Sequence, residues 1–170
     1  MSFISNQLLD DGPWQALERA VARLMIHGSF ENVRLVGRTG DGGADILASR
    51  NGLRYVVQVK YRRSGSIGEN VVDEVLEATR RYRAKIPVIA TNRLFQGKVY
   101  NRQVDLMSSD INLQLWDSKK LLREWEMLPE ECSHQREIRN YQQKPIDNII
   151  NAFTSSEHRS GLIIMATGLG

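Results

Sequence analysis

The chain has a single cysteine, Cys132, among its 170 residues, so no disulfide can close within it. That suits a reducing, cytoplasmic setting and excludes the disulfide-stapled class of small secreted domains. Histidine is scarce too. His27, His134 and His158 are scattered, and with one cysteine they offer none of the spacings of a zinc site. Long hydrophobic runs are missing too. None approaches the roughly 20 apolar residues of a membrane helix. No basic-then-apolar leader opens the chain, which starts on the mildly acidic MSFISNQLLDDG. Internal repeats and low-complexity tracts are likewise absent. The expectation is a soluble cytoplasmic protein without membrane association. Its 41% hydrophobic and 25% charged residues allow one globular domain plus a remnant.

What is present is an uneven distribution of charge. The chain is +3 overall, but residues 34–102 hold fourteen Lys/Arg against six Asp/Glu, and the rest holds nine against fourteen. A basic middle in a nearly balanced chain points to a polyanion-binding face or to an ordinary solvated surface.

The hydrophobic periods give an α/β order. Residues 13–27 predict a helix, with Pro13 in its first turn and Trp14, Leu17, Val21, Leu24 and Met25 along its apolar stripe. A strand follows over 31–38, then the turn TGDGG at 39–43. ADILAS and LRYVVQVKY predict two strands joined at Asn51-Gly52, a strong hairpin signal. Residues 69–85 predict an amphipathic helix with its acids Glu69, Asp73 and Glu74 first and its bases last, as the helix dipole favours. A short buried strand (87–91), a helix (97–109), a strand (112–116) and a helix (118–126) complete a mixed sheet with helices on both sides. The polar stretch LPEECSHQ then reads as a linker.

The hairpin defines a constellation. A two-residue Asn51-Gly52 loop pairs Arg50 with Leu53 and sets Asp45 opposite Gln58. Alternation then projects Asp45, Gln58 and Lys60 from one face, Lys60 lying roughly 7 Å along the strand from Gln58. An anionic oxygen and an amide oxygen suit Mg²⁺, which takes few protein ligands and completes its shell with water and phosphate oxygens. A neighbouring ammonium can hold the attacking water and offset developing charge. The alternative is a solvent-facing strand with polar residues at every second position. That alternative explains less well why Asp, a poor strand former, interrupts the apolar ADILA beside a Gly-rich turn. Glu18 is a second irregularity. It falls on or beside the apolar stripe of the first helix, where a carboxylate is costly unless paired or metal-bound.

VGRTGDGGADILA, together with YVVQVKYRRSGSIGENVVDEV, resembles the Mrr-type branch of the restriction-endonuclease-like nucleases, the PD-(D/E)xK superfamily. The resemblance covers about residues 12–127. It implies a restriction-endonuclease-like mixed sheet flanked by helices and an Mg²⁺- or Mn²⁺-dependent endonuclease acting on double-stranded DNA. By position it makes Asp45 a metal ligand and Gln58-Val59-Lys60 a QxK form of the (D/E)xK tripeptide. Glu18 becomes the helical glutamate. Gln in place of an acid removes one negative charge, which weakens the metal site and leaves open a degenerate nuclease. Arg38, Arg54, Tyr61, Arg62 and Arg63 are the candidates for gripping DNA phosphates, contacts that position DNA without reading sequence.

Residues 140–170 differ in character. YQQ followed by IIMATGLG resembles the start of a superfamily 2 helicase of restriction systems, with Gln142 matching its Q-motif glutamine and Gly168 and Gly170 its phosphate-loop glycines. The lysine and Ser/Thr that grip phosphate are not present, and Met165 stands where the phosphate-loop pattern has its first glycine, so ATP is not expected to bind. The sequence thus divides into a nuclease domain (1–127), a linker (128–139) and a truncated helicase start (140–170). It implies a nuclease of a DNA-defence system linked to a helicase module in cis or in trans, and a homodimer if both strands are to be cut. The alternative is a non-catalytic DNA-binding module that tethers the motor.

Overall fold

The computed structural model describes residues 4–36, 43–128, 147, 148, 150 and 151. The chain forms two compact units, Met1–Pro129 and Glu130–Gly170. In the second, the four described residues are helical. Gln142, Gly168, Gly170 and nearly all of the linker fall outside the described residues.

The first unit runs α1 (Asn6–Asp11), α2 (Trp14–His27), β1 (Glu31–Leu35), β2 (Ile46–Arg50), β3 (Leu53–Lys60), α3 (Asn70–Arg81), β4 (Ile86–Thr91), α4 (Gly97–Ser108), β5 (Gln114–Trp116), α5 (Ser118–Glu126). The strands form one mixed sheet in the order β1-β2-β3-β4-β5. The first two pairings are antiparallel and the last two parallel. The expected hairpin is present, with Arg50 opposite Leu53 and Leu47 opposite Val56. Asn51 and Gly52 both take positive φ, 52° and 75°, as a two-residue turn of this hand requires.

Two cores sandwich the sheet. On one side Leu17, Val21, Leu24 and Met25 of α2 and Leu121 of α5 pack on Ile46, Val57, Val59, Val88 and Ala90. On the other, Val71, Val72, Val75 and Ala78 of α3 and Val99 of α4 pack on Val56 and Ile89. Helices α3 and α4 share a face because successive parallel crossovers in one direction have the same hand. Central β3 is therefore apolar on both sides, which accounts for its run of valines.

Four local expectations change. Helix α1 was not foreseen; Ser5 caps it by accepting the Leu8 N–H at 3.2 Å. Trp14, placed in the apolar stripe, is 54% exposed, because it opens α2 one turn before the buried set begins at Leu17. Pro13 is the N-cap of α2 and not part of its first turn. Helix α3 stops at Arg81 and not near 85, since Arg83 enters the left-handed region (φ 50°) and reverses the chain.

Asn92, just past β4, is 2% exposed and uses its whole amide. It accepts the Arg62 N–H at 2.9 Å and donates to the carbonyls of Leu9 (2.7 Å) and Arg62 (2.8 Å). Arg93 adds bonds to the Arg62 carbonyl, the Arg63 carbonyl and Asp10. Together they fasten α1 and the basic segment after β3 to the end of the sheet. Asn92→Ala strands these buried backbone groups and should cost about 2–3 kcal/mol. Chemical denaturation will measure it.

Candidate active site

Asp45 lies between the Gly43 turn and β2. Its N–H donates to the Val57 carbonyl and its own carbonyl accepts the Val36 N–H, both at 2.9 Å, so its backbone is clamped between β1 and β3. The regular ladder begins one residue later, at Ile46 opposite Val57, and the expected direct pairing of Asp45 with Gln58 does not form. The side chain takes over instead: Asp45 Oδ2 accepts the Val59 N–H at 2.7 Å. A short Asx side chain competing for backbone donors ends a ladder in this way. Asp45 thus sits alongside the Gln58-Val59-Lys60 segment.

Gln58, two residues before the end of β3, is 3% exposed. Its Nε2 donates to Glu74 Oε2 at 2.8 Å, and Lys60 Nζ reaches the same oxygen at 2.6 Å. Gln58 and Lys60 therefore do share the α3 side of the strand, as alternation predicted. Gln58 Oε1 has no partner, alone among buried side-chain polar atoms of the described residues. Gly43, at φ +84°, makes room for the amide: a Cβ there would stand 3.1 Å from Gln58 Nε2. A residue without a side chain and at ease at positive φ suits this position.

Glu74 was missed. Its place among the acids toward the start of the helix masked a second fact: it is three residues after Val71 and four before Ala78, both buried on the core stripe. An acid at that spacing was the available signal.

The electrostatics follow from crowding. Burial raises the Asp45 pKa, Glu74 raises it further, and the Val59 N–H and Lys60 work against both. Glu18, from the opposite helical layer, is pushed up to about 7, first by burial and then by the Asp45 charge, with Arg19 opposing. Burial alone would raise Glu74, but hydrogen bonds from Lys60 and Gln58 and the Lys60 charge outweigh it and hold the carboxyl below its usual range.

A pH prediction follows for the metal-free protein. A folded pKa above the ordinary 4.5 means that Glu18 keeps its proton longer folded than unfolded. Its contribution to stability is then complete below the unfolded pKa and is lost as pH rises toward about 7. Glu18→Gln should flatten the decline in melting temperature across that interval.

The DNA-binding candidates separate. Arg62 and Arg63 are exposed just beyond Lys60, and Tyr61, half-buried, donates its hydroxyl to the Asp10 carbonyl at 3.1 Å. Arg54 is not with them. It pairs with Ser49 beside the hairpin turn, at the other end of β3. Lys60 lies six positions further along, roughly 20 Å of strand. A cavity of about 580 Å³ at that end is lined by Arg34, Leu47, Arg54 and Tyr82, away from Asp45 and Lys60. Arg38 falls outside the described residues.

Among the described residues no three His, Cys, Asp or Glu group so as to hold a metal ion. The donors present fit a cation that keeps most of its own shell: one carboxylate and one buried amide oxygen without a partner.

A mixed five-stranded sheet between helices, with its polar set at the mouth of the antiparallel hairpin, is the fold of the restriction-endonuclease class of nucleases. Residues 9–125 match the Mrr_cat family, restriction endonucleases, and the chain belongs to that family. No curated protein sequence matches it. A protein of unknown function, AF1548, shares the fold at TM-score 0.52 and 17% identity over 79% of this chain and 76% of its own. The DNA modification-dependent restriction endonuclease AspBHI does so at TM-score 0.54 and 13% identity, covering 89% of this chain. The match takes in only 38% of that enzyme. No helix of the described residues is long and apolar enough to cross a membrane.

Proposed function

We propose that this unit is an Mg²⁺- or Mn²⁺-dependent DNA endonuclease whose site is Asp45, Gln58 and Lys60, with Glu18 beside it. The observation that carries the reading is the buried, partnerless Gln58 Oε1, one residue before Val59, whose N–H the Asp45 carboxylate accepts. A buried carbonyl oxygen left without a donor costs free energy unless something else meets it, and a hard cation would. Asp45 and Gln58 would hold the ion, which when bound supplies positive charge at the phosphate and acidifies water. Lys60 keeps ammonium hydrogens beyond the one given to Glu74, to hold the attacking water and offset charge on the phosphate. Glu18, its carboxyl pushed up to about 7, would exchange a proton near neutral pH or, once ionised, join the ligand set. Arg62 and Arg63 would grip the backbone beside the cut.

The wider setting belongs to the same proposal. The domain serves a restriction or other DNA-defence system, with the stretch containing Gln142, Gly168 and Gly170 as the start of a helicase module. Two copies would act together where both strands are cut. The test is supercoiled plasmid incubated with Mg²⁺, Mn²⁺ or EDTA. Nicked or linear product in metal only supports the reading. The second reading, a tethering module without catalysis, is favoured by the neutral Gln58. Salt-sensitive DNA binding with intact plasmid in every metal would establish it.

A further inference from the structure

We infer that Glu74 is the positioning residue that makes Gln58 usable as a metal ligand, and that residues 58 and 74 work as a coupled pair. This rests on the reading that Asp45 and Gln58 hold the cation. A carboxylate only accepts hydrogen bonds, so Glu74 Oε2 selects the NH₂ end of the Gln58 amide at 2.8 Å. Flipping the amide would press Gln58 Oε1 against that anionic oxygen. The orientation is therefore fixed by chemistry, and it turns the oxygen away from Glu74, where it has no protein partner. The same Glu74 oxygen receives Lys60 Nζ at 2.6 Å, so one atom sets the direction of both the amide and the ammonium. It also returns to the neighbourhood the negative charge that glutamine at 58 lacks.

The consequence concerns the family's acidic form of this position. A carboxylate placed at 58 by Gln58→Glu would stand at hydrogen-bond distance from the Glu74 carboxylate. Two such groups cannot both ionise freely. Glutamine at 58 is thus what glutamate at 74 requires. Gln58→Glu alone is accordingly not a clean restoration of an acidic site, whereas Gln58→Glu with Glu74→Gln keeps the charge and the donor–acceptor pair and exchanges their places.

A double-mutant cycle tests this, read out as Mn²⁺ affinity of the full chain by electron paramagnetic resonance, without DNA. Metal-free melting checks the fold. Glu74→Gln removes the charge and the acceptor-only character, since a glutamine at 74 can face either end of the Gln58 amide; Mn²⁺ binding should weaken about 10–100-fold, the usual cost of losing a group that orients a ligand. In the Gln58→Glu background the same change should cost at least tenfold less. An equal factor in both backgrounds, or no loss in either, overturns the pairing. Glu74→Asp retracts the carboxylate by one methylene while keeping its charge. It should also weaken Mn²⁺, and unchanged affinity would contradict a positioning role even if Glu74→Gln proved unstable. If the unaltered chain binds no Mn²⁺ through Asp45, the metal reading fails and this inference with it. If it binds through Asp45 and the cycle is additive, only the inference fails.

Discussion

Asp45→Asn is expected to abolish metal-dependent DNA cleavage while leaving the domain folded. The carboxylate has two separable tasks. One oxygen accepts the Val59 N–H at 2.7 Å and closes the hairpin mouth, a task that an asparagine carbonyl can take over. The other task is to bring negative charge to the site, which asparagine cannot do. Removing a single electrostatic contribution of this kind slows an enzyme about 10²–10³-fold, and loss of the cation itself adds to that. Because the Asp45 pKa is raised mainly by burial, removing its charge relieves a desolvation cost. The melting temperature without metal should therefore hold or rise while plasmid cleavage disappears. Asp45→Ala would strand the Val59 N–H and confuse the two effects.

Lys60→Met is the second large effect, again on cleavage, by about 10²-fold or more through lost charge stabilisation. Its structural cost should be small, since the Lys60–Glu74 ion pair is 34% and 42% exposed and such pairs add little to stability. Losing the ammonium should let the Glu74 pKa rise, because Lys60 supplies most of what holds it down. Lys60→Arg should not restore full activity: a planar fork does not replace a compact ammonium. Cleavage rates set beside melting curves separate the two consequences.

The contrast between these residues and Glu74 shows what a one-dimensional pattern carries. Asn51-Gly52 fixes a turn, the turn fixes the register, and the register places Gln58 and Lys60 on one side of β3; each step is local or nearly so. The same reasoning erred by one position at Asp45, because a side chain that replaces a backbone acceptor ends the ladder early, and no period reports that. Glu74 was harder still. It is close to Gln58 only because the crossover helix α3 returns over β3, a tertiary fact. Arg54 shows the opposite failure, grouped with Arg62 and Arg63 by charge although the length of β3 carries it away. Asn92 had no signal beyond its place after a buried strand, since its value lies in meeting α1 and the segment after β3. The Glu18 irregularity was legible as a carboxylate near an apolar stripe, but its proximity to Asp45 was not.

The central proposal is that Asp45 and Gln58 together hold a divalent cation. An anomalous-scattering map from crystals soaked in Mn²⁺ tests it most directly. The account predicts one strong peak at about 2.0–2.3 Å from both the Asp45 carboxylate and Gln58 Oε1, the distances of hard-cation coordination by oxygen. No peak there, or a peak held elsewhere with Gln58 Oε1 still without a partner, would contradict it.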